Sequence, residues 1–199
     1  MRRTIAVSVL FALPALGLLN GCGADEPEPA ASGDAQTSTA ADAVLADYGL
    51  DGLPGDEVVD RLDRMPLDER PGGLMASVRD DQLVLNEGSE DEAAVELPDG
   101  RFYLSVAPYV DQTHECYFHS LTTCQGELGG EEVSVTITDD AGEVLVEETT
   151  EVFDNGFVGF WLPDDVKGTV EVTYDGRTGQ VPFATGPEDP TCLTTLQLA

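Results

Sequence analysis

The sequence predicts an α+β fold, a small N-terminal α/β unit followed by a C-terminal β-sandwich. Three observations lead there. Two short segments between residues 41 and 65 carry apolar residues at helical spacing. Four short apolar runs separated by turn residues follow, up to residue 106. Beyond residue 130 some six alternating runs are punctuated by turns at about eight- to twelve-residue intervals, the pattern of a sandwich.

The first residues, MRRTIAVSVLFALPALGLLNGC, place Arg2 and Arg3 before an apolar run from Thr4 to Leu19. Residues 1–21 read as an export signal, too short and too weakly flanked for a spanning helix. Leu19-Asn20-Gly21-Cys22 resembles a bacterial lipobox, so Cys22 is the expected lipidated first residue of the mature chain. Its anchor would sit on the outer face of the cytoplasmic membrane, in the periplasm or cell envelope; the alternative is a plain signal peptide cut nearby. Residues 22–40, rich in Pro, Ala, Ser, Gly and acid, read as a disordered tether.

Residues 41–107 form the expected small α+β domain. Ala41 to Tyr48 is one predicted helix and Asp56 to Met65 another, with Val58, Val59, Leu62 and Met65 on one face and Pro66 as terminator. Leu74 to Val78, Gln82 to Leu85, Ala93 to Leu97 and Arg101 to Val106 are the predicted strands, the last pair joined by the Pro98-Asp99-Gly100 turn. The acids of this unit read as solvated faces and turns, and nothing in it reads as catalytic. Residues 108–199 form the expected sandwich: Val133, Val135 and Ile137 alternate, as do Val144 and Val146, then Val170, Val172 and Tyr174, and Phe157 to Leu162 is continuously apolar, as in a strand covered on both faces. Strands at Gln180 to Phe183 and Cys192 to Leu198 complete the set. In the last, a period of two puts Cys192 on one inward face with Thr194, Leu196 and Leu198.

Acidic side chains number 39 against 9 Lys and Arg, for a formal charge of −30. Such a surface repels nucleic acid, so that class of partner is excluded. Spread acid of this kind is a solvated surface rather than a site.

The chemistry concentrates in His114 to Cys124, HECYFHSLTTC, which holds both histidines and two of the four cysteines. Thiolate and imidazole together select Cu(I) or Zn(II) over calcium or magnesium. With Cys22 acylated, three cysteines remain, Cys116, Cys124 and Cys192, and an odd number leaves one thiol outside any internal disulfide. Cys116 and His119 share a face if they lie on a helical turn, for which Asp111-Gln112-Thr113 supplies a polar start; on a strand Cys116 and Cys124 share a face instead. No paired zinc knuckle is present. Two or three sulfurs plus an imidazole suit low-coordinate Cu(I), with zinc as a surrogate ion. Two of the thiols, oxidised to a disulfide, hold the two electrons that would turn two Cu(II) into Cu(I).

The stretches LMASV (74–78), LSVAPYVDQTHECYFHSLTTCQGE (104–127), DNGFVGFWLP (154–163), GTVEVTYDGRTG (168–179) and TCLTTLQL (191–198) resemble the CueP family of periplasmic copper-binding proteins. The resemblance implies a copper-resistance protein of the envelope whose metal ligands are Cys116, Cys124 and Cys192, with His114 and His119 as further ligands, and whose three thiols act in cupric reduction. It also implies a two-part protomer, dimers, and a copper-receiving client. The anchor at Cys22 and the single lysine, Lys167, depart from the family pattern. Two readings of other classes stand beside this one: a thiol-disulfide exchange protein, against which the missing C-x-x-C speaks, and a non-catalytic scaffold lipoprotein stapled by one disulfide.

Overall fold

The computed structural model describes residues 33–199, with side chains from residue 39; the export signal and Cys22 lie outside the described residues. Helix α1 (Gly33–Ala46) precedes α2 (Gly55–Asp63). Helix α1 starts seven residues before the tether was expected to end, and only its second half, AADAVLA, is rich in the strong helix former Ala. Helix α2 enters behind Pro54 and buries Val58, Val59, Leu62 and its last residue, Asp63.

Ten strands follow: β1 (Ala76–Val78), β2 (Gln82–Leu85), β3 (Ala93–Glu96), β4 (Arg101–Val106), β5 (Glu132–Asp139), β6 (Val144–Glu151), β7 (Val158–Pro163), β8 (Lys167–Tyr174), β9 (Arg177–Ala184) and β10 (Cys192–Leu193). They make three sheets, ordered β1-β2-β3, β10-β4-β7 and β6-β5-β8-β9. The α+β class expected from the sequence is the class observed.

β4 explains how the layers join. It lies N-terminal to residue 107 yet pairs antiparallel with β7 and parallel with β10. Side chains alternate across a strand, so Phe102, Leu104 and Val106 enter one core with Val133, Val135, Ile137, Val170 and Val172 of the four-stranded sheet. Tyr103 enters the other, with Val59, Leu62, Leu83 and Leu121. The strand is therefore buried on both faces, and β7, its partner, needs the continuously apolar Phe157–Leu162 run for the same reason. Gly159 of β7 sits against the Tyr103 ring, where a Cβ would collide with it.

β10 keeps strand pairing for two residues only. Leu193, Leu196 and Leu198 all reach the larger core, whereas Cys192 lies in a separate small cluster with Ala107 and Phe157. The expectation that Cys192 shares a face with Leu196 and Leu198 fails: after Leu193 the chain leaves the ladder, rejoining it as an isolated bridge between Gln197 and Tyr109, and the period of two does not survive the break.

Candidate metal centre

The segment from Val110 to Gln125 is neither helix nor strand, apart from one bridge at Ser120 and a turn. It is held by specific bonds instead. The Glu127 carboxylate accepts the N–H groups of Val110, Asp111 and Gln112 at 2.9 to 3.0 Å, which hold that carboxyl below its usual range, the Gln112 bond most strongly. No helix forms in this segment, so the helical reading of Cys116 and His119 does not apply. The Thr113 hydroxyl donates to the Thr194 carbonyl at 2.6 Å, and Cys192 N–H to the Tyr117 carbonyl at 3.1 Å. Further along, Val78 N–H donates to the His119 carbonyl at 2.8 Å and Leu121 N–H to that of Ala76 at 2.9 Å, so residues 119–121 extend the β1 edge. The Thr191 hydroxyl accepts the His119 N–H at 2.9 Å and donates to the Val78 carbonyl at 2.8 Å, tying three segments at one atom.

These constraints bring all five sequence-predicted residues together. Cys116 and Cys192, 76 positions apart, form a disulfide with Cα atoms 5.7 Å apart. Cys124 is a free, half-buried thiol whose Sγ lies 3.5 Å from Cys116 Sγ. Cys192 Sγ is 3.9 Å from His119 Nδ1. Two donor groups result, His114–Cys116–Cys124 and His119–Cys124–Cys192, each with its ligand atoms within 4.8 Å of one another, and Cys124 belongs to both. The Phe157 ring packs against both imidazoles. His114 Nε2 is buried without a hydrogen-bond partner, an unspent donor or acceptor beside two sulfurs. That orphan nitrogen and the sulfur-imidazole chemistry fit a soft ion.

His119 is fully buried, and its Nε2 meets Asp63 Oδ1 at 2.8 Å. Asp63, equally buried, accepts the Tyr103 hydroxyl at 2.6 Å and the Asn155 amide at 2.7 Å, while that amide also reaches the Asp63 carbonyl at 3.0 Å. Burial would lower the His119 pKa, but the Asp63 charge and hydrogen bond, helped by Cys124, push it up to about 9. Burial likewise raises Asp63, and the His119 charge, with the bonds from His119, Tyr103 and Asn155, outweighs it and leaves the carboxyl below its ordinary value. Cys124 follows the same logic: burial raises it, and the bond to and charge of His119 bring it below a normal thiol. A disulfide sulfur bears no charge, so of the three sulfurs only Cys124 adds to the pull that the Asp63 carboxylate exerts on His119. With Nε2 spoken for by Asp63, Nδ1 is the nitrogen left for sulfur or metal. Arg70 closes the far side, donating from Nη1 to the Cys124 carbonyl at 2.9 Å.

The expectation that no acid of the N-terminal unit matters is therefore corrected by Asp63. The signal was present: Asp63 follows Val59 by four residues and Leu62 by one, which puts a carboxylate in the apolar stripe of α2. Tyr103, Asn155 and Thr191 carried no comparable signal, since only tertiary packing sets their partners.

An α+β frame that gathers sulfur and imidazole donors on one irregular, tightly tied loop is the architecture of a soft-metal-binding protein. Residues 57–197 match the family model described as periplasmic copper-binding protein CueP. The chain belongs to the CueP family. A solved structure, described as the crystal structure of S.CueP, shares 40% sequence identity with it at a TM-score of 0.74, over 80% of this chain and 97% of that one. No curated protein matches the chain with significance.

Proposed function

We propose that this protein sequesters copper in the envelope through Cys116, Cys124, Cys192, His119 and His114, and that its thiols reduce Cu(II) to Cu(I). Family membership supports the copper-binding part. The observation that carries the rest is the third sulfur: Cys124 stands 3.5 Å from a cysteine already paired with Cys192. The Cys116 and Cys192 thiols give up two protons and two electrons and form one disulfide; two Cu(II) accept one electron each. The described pairing is the oxidised side of that equation, with Cys124, His119 and His114 left to retain Cu(I). Because His119 donates Nε2–H to Asp63, its Nδ1 faces the sulfurs, and zinc would be a surrogate for the same donors.

The proposed protomer has two parts, residues 41–107 and 108–199, joined through β4, whose two faces enter different apolar cores, with the site where residues 119–121 meet β1. Cys22 anchors it by lipid to the outer face of the cytoplasmic membrane, and a client protein or a second copy would meet it there. Among the described residues no helix is long and apolar enough to cross a membrane. A scaffold stapled by one disulfide needs two cysteines and leaves Cys124 and its buried Asp63–His119 support unexplained. The test is a colorimetric Cu(I) assay on fully reduced protein beside a thiol count. Cu(I) appearing with loss of two thiols supports the reading; copper bound with all three thiols still titratable leaves binding alone, and no copper bound removes the reading altogether.

A further inference from the structure

Once the Cys116–Cys192 disulfide has formed, the free thiol of Cys124 sits beside it with nothing between the sulfurs. Sulfur exchange requires a thiol within reach of one disulfide sulfur and a leaving sulfur that can accept a proton. Both are present. Cys124 Sγ is 3.5 Å from Cys116 Sγ, so it has about 1.5 Å to travel to bonding distance. On the far side of the bond that would break, Cys192 Sγ lies 3.9 Å from His119 Nδ1.

The geometry points to an intramolecular thiol-disulfide interchange in which Cys124 attacks Cys116 and releases Cys192, so that the oxidised protein exists as two disulfide isomers. Cys124 gives up its proton and forms the Cys116–Cys124 bond; the Cys116–Cys192 bond breaks; Cys192 leaves as a thiolate and takes one proton. One disulfide and one thiol stand on each side, so no oxidant or reductant enters. The reverse step is the same reaction with Cys192 as attacker.

What changes is the place of the single free sulfur. On Cys124 it lines a shallow pocket with Gln112, Thr113 and His114. On Cys192 it is 3% exposed, packed with Ala107 and Phe157 and facing His119. The cluster thus has an open and a closed position for one thiol, and interchange moves it between them without any metal. This goes beyond the copper reading and does not depend on it.

The experiment uses the full chain bearing Cys22→Ser, so that only three sulfurs are counted, oxidised to one disulfide in chelator-treated buffer. After incubation at mildly alkaline pH the native protein is quenched in acid, which halts exchange by protonating the thiol. It is then cut with pepsin at the same pH. Tyr117, Phe118 and Leu121 lie between Cys116 and Cys124, so cleavage there separates the three cysteines. Interchange gives both the Cys116–Cys192 and the Cys116–Cys124 linked peptides, and a maleimide added in denaturant at mildly acidic pH labels Cys192 as well as Cys124. The Cys192→Ser chain, checked for retained fold by circular dichroism, forms the Cys116–Cys124 bond under mild oxidant, independently of protein concentration. A sole Cys116–Cys192 linkage with label on Cys124 alone overturns the proposal, as does a folded Cys192→Ser chain that cannot form the alternative bond. Copper binding is measured separately on reduced protein, so either reading can fail alone.

Discussion

Replacing Asp63 by Asn removes the charge opposite His119 while keeping the side chain's size. Asp63 and His119 are both 0% exposed and bonded at 2.8 Å, so the variant leaves an imidazole in a dry site with no counter-charge. Removing one partner of a buried pair costs about 3–5 kcal/mol. A second route gives the same scale: a His119 pKa lifted from 6.5 to about 9 is worth about 3 kcal/mol of differential stabilisation. The two describe one interaction and are not added. For a chain of this length each kcal/mol moves Tm by about 2–4 °C, so Asp63→Asn should melt roughly 6–20 °C lower by differential scanning calorimetry.

The pH dependence carries the sign. His119 has a folded pKa above its unfolded one, so its contribution is fully present below about 6.5 and is lost as pH rises through about 9. Asp63 is depressed from 3.8, so its contribution is present above that value and is lost as pH falls through the lower folded one. Cys124 is also depressed, and its contribution declines as pH falls below 9.0, against the His119 trend in the same window. The clean comparison is therefore made in a Cys124→Ser background. There the Asp63-containing protein should still lose stability between pH 6.5 and 9, by less than about 3 kcal/mol because the Cys124 contribution to His119 is gone, and the Asp63→Asn protein far less. Equal slopes, or a Tm within about 2 °C of the parent, would refute the buried ion pair.

Three further outcomes are expected. Cys124→Ser should leave the Cys116–Cys192 disulfide intact, and reduced protein should still yield Cu(I), but retention against a competing chelator should fall about 10–100-fold, measured by dialysis. Gly126→Ala should destabilise by about 1–3 kcal/mol in a thermal melt, because the new Cβ would run into the backbone of Gly156, which at φ +83° is itself poorly replaceable. Mass spectrometry of the native protein should find a diacylated Cys22 as first residue; an unmodified N-terminus elsewhere removes the anchor.

Much of the frame is legible because it rests on local periods. Every expected strand from residue 74 to 106 reappears within two residues of its predicted ends, since each apolar run is bounded by turn residues that fix its length. The convergence of the five cysteine and histidine residues was legible as well, because the chain holds one further cysteine and no further histidine. What failed did so where a local period was extended beyond the pairing that sustains it. Cys192 was phased with Leu196 although β10 pairs over two residues only, and for Cys116, His119 and Cys124 neither the helical nor the strand alternative applies, because their segment forms neither element. Asp63 failed for another reason: spacing placed it on the apolar stripe of α2, but a rule that sends acids to solvent took precedence over geometry. A carboxylate in such a stripe needs a buried cation or donors, and the chain has only two histidines to search for them.

The charge pattern around the cluster separates attraction from selection. The chain carries a formal charge of −30, enough to concentrate cations near the protein at low salt. Within the cluster acidic and basic groups oppose one another instead: Asp63, His119, Cys124 and Arg70 face one another in sequence, and each is bonded or electrostatically coupled to the next. Where opposite charges offset one another, charge alone selects little between a divalent and a monovalent ion. Preference must then come from the bonds themselves, and sulfur with imidazole favours the softer ion at equal charge. The acidic surface thus concentrates a divalent ion more than a monovalent one, while the cluster discriminates by ligand chemistry. Screening by salt, which shortens the reach of exposed charge to about 8 Å at physiological strength, weakens the first and leaves the second in place.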